Sequence, residues 1–122
     1  MRTPVIDDLL TRLRTEVPDC IAAMAVDVRD GALVASRGAE DAAADVVREL
    51  FVHTRAVTCA FRSADDADPQ EVIMLSAGRA YVCQALKQHP GIVAAAVSAH
   101  TANLGMLLAV MRREVAAVEG DA

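Results

Sequence analysis

The chain has 122 residues, of which 54% are hydrophobic and only 2% aromatic, and its formal net charge is −5. That length suits one hydrophobic core and not two, so the expected organisation is one domain over residues 1–122 with its core at 4–118. One Tyr, two Phe and no Trp leave bases little to stack on, and no strong Lys/Arg cluster exists, which argues against a nucleic-acid partner.

A core made of Ala, Val, Leu and Met implies thin layers that approach closely. The apolar runs fall short of the ~20 residues of a membrane span, and Arg2 to Asp8 lacks the apolar segment of a signal peptide. The expectation is a soluble cytoplasmic protein with no membrane insertion. Arg outnumbers Lys 11 to 1, a bias attributed to a GC-rich bacterial genome.

Pro4 to Val17 places Ile6, Leu9, Leu10, Leu13 and Val17 on one stripe, the pattern of a helix buried on one side and stopped by Pro18. Cys20 to Val28 and Ala32 to Ser36 are apolar runs either side of Asp30-Gly31. That dipeptide predicts a hairpin, because tight hairpin turns need residues tolerant of positive φ. Glu40 to Ala60 predicts a long helix. Its inner face is Ala43, Val47, Leu50, Thr54 and Val57, with Val46 and Phe51 on the shoulders. Its outer side holds Val52, Ala56 and Cys59 among Asp45, Arg48, Glu49 and Arg55. Two readings of that outer trio stand: scattered apolar residues, which are normal on any surface, or a second buried seam, which needs another molecule.

Ser63 to Gln70 is an acidic connector without the ligand spacing of a calcium loop. Val72 to Leu75 and Ala80 to Leu86 form a second predicted hairpin, and His89-Pro90-Gly91 fits a type II turn. Ile92 to Val97 shows no inside/outside alternation, so it is predicted to be a central strand covered on both faces. Leu104, Leu107, Leu108, Met111, Val115 and Val118 then line one face of a final helix, with Thr101 or Asn103 as its cap. Gly105 just inside that helix would cost about 1 kcal/mol against Ala, and close packing on the sheet is the expected reason for it. The predicted fold class is α+β: a three-layer α/β/α sandwich with a largely antiparallel five-stranded sheet, in the order helix, two strands, helix, three strands, helix.

The residues that could carry chemistry are few. Cys20, Cys59 and Cys83 are widely spaced and read as buried free thiols, with no C-x-x-C pair. His53 has no second metal ligand at helical spacing, and His89 sits in a turn. His100 with Ser98 and Thr101 lacks the carboxylate a triad requires, since none lies between Lys87 and Arg113. Neither standard glycine-rich phosphate loop occurs. These absences point away from an enzyme, and no metal or cofactor is expected.

Three stretches carry a family resemblance. VDVRDGALVASRG (Val26 to Gly38) resembles the first hairpin of the roadblock/dynein light-chain domain. EVIMLSAGRAYVCQAL (Glu71 to Leu86) is similar to its third and fourth strands, and TANLGMLLAVMRR (Thr101 to Arg113) resembles its last helix. The resemblance covers roughly Ile6 to Val118. It implies a profilin-like sandwich and a non-enzymatic homodimer that regulates a Ras-like small GTPase. The dimer it implies joins the long central helices and continues one sheet across the two third strands, so Val52, Ala56, Cys59, Val72, Ile73 and Met74 would meet the second copy. Arg48, Glu49 and Arg55 would lie at the rim for the GTPase. An uncharged edge strand would otherwise be an aggregation hazard. The alternative reading is a small-molecule-sensing or scaffolding domain of the same sandwich class, for which the sequence offers few aromatic or convergent polar groups.

Overall fold

A computed structural model describes residues 4–17, 19–38, 44–63, 70–76, 78–99 and 104–119. The elements are α1 (Pro4–Glu16), β1 (Cys20–Asp27), β2 (Ala32–Gly38), α2 (Ala44–Ser63), β3 (Glu71–Ser76), β4 (Arg79–Ala85), β5 (Ile92–Ser98) and α3 (Leu104–Glu119). Their order is the predicted one. α2 runs a turn beyond the expected Ala60, and its expected start at residues 40–43 lies outside the described residues, as do His100 and the candidate caps Thr101 and Asn103.

The strands pair antiparallel throughout in the order β2-β1-β5-β4-β3. β5 is central, and Val93 to Ser98 are all buried, because an unalternating apolar strand loses its hydration only when both faces are covered. One face carries α1 and α3: Leu9, Leu10, Leu13, Leu107 and Met111 pack on Ala23, Ala25, Val82, Ala94 and Ala96. The small strand side chains let these leucines seat deeply. The other face carries α2, whose Val57 and Phe61 lie over Met24, Val26, Tyr81, Cys83, Ala95 and Val97.

The first hairpin differs from its expected turn. Asp27 pairs with Ala32, which leaves four loop residues, and only Gly31 among them has positive φ (77°). Its N–H donates to Asp27 O at 2.8 Å, and Asp30 Oδ1 accepts from Ala32 N at 2.9 Å. Asp30 therefore acts through its side chain rather than through a left-handed backbone. The His89-Pro90-Gly91 turn is as expected: Ile92 N donates to His89 O at 2.9 Å and Gly91 has φ 86°. A Cβ on Gly91 would also run into the Arg29 side chain.

Gly105 is a correction. An added Cβ there meets nothing within 4 Å, and the residue is exposed. Close packing on the sheet does not explain it, because Leu107, Val110 and Met111 define the buried side of α3.

Candidate interaction surface

α2 is seated by a polar strip as well as an apolar one. His53, Thr54 and Thr58 are buried with Val57 and Phe61, so its inner face is wider than hydrophobicity alone indicates. His53 Nδ1 is hydrogen-bonded to Tyr81 Oη, and the two rings meet edge to face with centroids 5.1 Å apart. Arg79 Nη1 lies 3.4 Å from His53 Nε2. A guanidinium can only donate, so in this contact Nε2 is the acceptor. Thr58 satisfies its hydroxyl on Thr54 O at 2.9 Å. His53 points inward, held by a tyrosine 28 residues away. Arg62 ties the end of α2 to the first hairpin by donating to Val28 O at 2.9 Å and to Arg29 O.

The outer side of α2 then carries Val52 (55% exposed), Arg55 and Cys59, with Ala56 half-buried. Arg48 and Glu49 belong to the first part of α2, whose side chains lie outside the described part of the structure. Cys59 is exposed, which corrects the expectation of three buried thiols; Cys20 and Cys83 are buried. Burial pushes the Cys83 thiol up to about 12 and raises that of Cys20.

β3 is the last strand of the sheet. Val72 and Met74 are half-buried on the α2 face, packed with the α2 cluster. Ile73 (42% exposed) and Leu75 (61%) project from the opposite face, opposite Val82 and Ala80 of β4. Leu75 ends the expected strand Val72 to Leu75, and the alternating exposure of a half-covered strand puts it on the same face as Ile73. Glu71 at the start of β3 accepts two hydrogen bonds from Arg112 of α3, at 2.6 and 2.7 Å. Those bonds hold its carboxyl below its ordinary value, against the opposing pull of desolvation.

Among the described residues no cluster of three His, Cys, Asp or Glu could hold a metal. No described helix is long and apolar enough to cross a membrane. A cavity of about 330 Å³ opens between the end of α2 and the β4–β5 turn, with Phe61, Val28, Ala85 and Val93 as apolar wall and Gln70 and Lys87 at its polar side.

No family model matches the sequence, nor does any curated protein. Solved structures do match its fold. MglC from Myxococcus xanthus superposes with a TM-score of 0.72 at 16% identity, covering 97% of this chain and 99% of that one. Myxococcus xanthus MglB gives 0.71 at 13%, covering 99% and 97%. A Roadblock/LC7 domain from Streptomyces avermitilis gives 0.61 at 20%, covering 94% and 95%. At such identities the likeness is one of fold: this chain has the α+β architecture of roadblock/LC7 domains, matched over nearly the full length of both partners. That agrees with the resemblance read from its hairpins and last helix.

Proposed function

We propose that this chain is one roadblock-type domain with no catalytic activity, which forms a homodimer through α2 and β3 and binds a Ras-like small GTPase. The observation that carries this reading is the exposure of Ile73 and Leu75 on the terminal strand, with Val52 exposed separately on the outer side of α2. Large apolar side chains grouped at a sheet edge mark an association surface rather than ordinary surface scatter. In this reading Val52, Ala56 and Cys59 form the helix seam, Val72, Ile73 and Met74 continue the sheet, and Arg48, Glu49 and Arg55 lie at the GTPase rim. The protein acts by binding, shifting its partner toward the nucleotide state for which it has the higher affinity.

The GTPase partner is inferred from the family resemblance and the shared fold. Its test is a pulldown with a Ras-like GTPase encoded near the gene, loaded in turn with each nucleotide. Capture that depends on the nucleotide supports the proposal, and equal or absent capture counts against it. The cavity beside Phe61 supports a second reading, a small-molecule sensor. It predicts thermal stabilisation by a metabolite, about 2.7 kcal/mol at 100 times the dissociation constant.

A further inference from the structure

We propose that two copies of this chain join their sheets in one particular register, with Ile73 on the two-fold axis. Val72 then lies opposite the second copy's Met74, and Glu71 opposite the second copy's Leu75. The inference rests on the homodimer reading above and adds what that reading leaves open, namely which residues of β3 meet.

The argument starts from the phase of the β3–β4 ladder. Ser76 pairs with Arg79 across a two-residue loop, and in such hairpins the closing pair exchanges backbone hydrogen bonds. At the other end Ala85 N donates to Gln70 O at 2.9 Å. Both pairs fall on even-numbered residues of β3, so Gln70, Val72, Met74 and Ser76 turn their N–H and C=O groups toward β4. Glu71, Ile73 and Leu75 turn theirs the other way. Among the described residues no strand lies beyond β3, so these groups form the open template.

Two constraints select the register. Residues directly opposite in an antiparallel pair share a face of the sheet and a hydrogen-bonding phase, so outward-bonding residues must face outward-bonding residues. The dyad can therefore sit on a residue of β3 and never between two. Of those positions, Ile73 is the midpoint of Glu71, Ile73 and Leu75, and only a dyad there pairs every outward N–H and C=O of the strand. A dyad on Met74 leaves Glu71 beyond the strand's end and sets Val72 against Ser76; a dyad on Val72 strands Leu75. With Ile73 central, the α2 face gains apolar Val72–Met74 contacts. On the α3 face the two Ile73 side chains meet. Each Leu75 lies beside the aliphatic stem of a Glu71 whose carboxylate is already held by Arg112.

Disulfide trapping tests this in the full chain with Cys20, Cys59 and Cys83 all retained, the linked peptides being identified by mass so that a bond through residue 73 or 74 is told from one through Cys59. Directly opposite Cα atoms in such a pair are about 5.5 Å apart, within disulfide reach, whereas positions offset by two residues are about 7–8 Å apart. Added Ile73→Cys is expected to give a covalent dimer on mild air oxidation, and added Met74→Cys is expected to give little. Hydrogen exchange supplies a readout free of cysteine geometry. The amides of Glu71, Ile73 and Leu75 should be protected in the dimer and lose protection on dilution to monomer, while those of Val72 and Met74 stay protected. Cross-linking through Met74→Cys and not Ile73→Cys overturns the register and leaves the dimer standing. Unprotected Glu71, Ile73 and Leu75 amides in an intact dimer overturn the β3 contact. An unmodified chain that sediments as a monomer at high concentration overturns the dimer reading itself.

Discussion

The two edges of the sheet are built in opposite ways. β2 carries a bulge where its register with β1 shifts between Ala25 and Val26, and a bulge twists an edge away from a would-be partner strand. Arg37 projects over the α1 side, reaches Asp7 at 3.3 Å and donates to Ser36 O at 2.8 Å. A charged side chain and an occupied carbonyl both discourage a further strand. β3 has an uninterrupted register with β4 and apolar residues from Val72 to Leu75. Among the described residues β2 has a bulge and an ion pair at its edge, although Leu33 is exposed there, whereas β3 has neither, and an open apolar edge strand is tolerated when something pairs with it. That asymmetry gives the dimer reading physical content independent of the fold likeness.

Breaking the open edge has the largest expected effect. Ile73→Asp buries an unpaired charge in the joint, worth several kcal/mol, so sedimentation should report monomer or aggregate; Val52→Asp should do the same from the helix side. An unchanged dimer in both would remove these surfaces from the interface. Next is Tyr81→Phe, which removes the hydroxyl hydrogen-bonded to His53 Nδ1 while the edge stays intact. Stability in denaturant should fall by about 1–3 kcal/mol with the dimer retained, and an unaltered midpoint would mean that His53 finds another partner.

Smaller changes sharpen the contrast. Gly105→Ala should raise stability by about 0.5–1 kcal/mol, since the site is helical and open. If the melting temperature rises but the dimer weakens, α3 belongs to the interface. Arg37→Leu removes a partly exposed ion pair worth about 0–1 kcal/mol, yet it strips the guard from β2. Light scattering should reveal assemblies larger than the parent, and none would appear if the bulge alone suffices.

The smallest effect is electrostatic. The Glu71 carboxyl is lowered from its ordinary value of 4.5 by Arg112, so the pair's stabilisation is present above about pH 4.5 and lost as pH falls through the folded value. Arg112→Gln should therefore flatten the acid limb of the stability profile. Identical profiles would show that the pair, whose Arg112 is largely exposed, contributes nothing measurable.

Local patterning alone determined the eight elements and their order. The leucine stripes of α1 and α3, the unalternating β5 and the Pro90-Gly91 turn each repeat over a few residues, so they are legible without knowing what lies nearby. The edge role of β3 came from the family resemblance, and the exposed Val52 follows from a helix period extended to the outer side of α2. Only the tertiary structure decided that His53 turns inward, that Gly105 faces open space, that Cys59 is exposed, and that the first hairpin closes with four residues. The Glu71–Arg112 pair, 41 residues apart in the chain, belongs with these. The physical reason is common to them: whether a polar side chain is buried, or a glycine crowded, depends on the partner that folding brings opposite it. Helical and strand periods record only which side of an element a residue occupies.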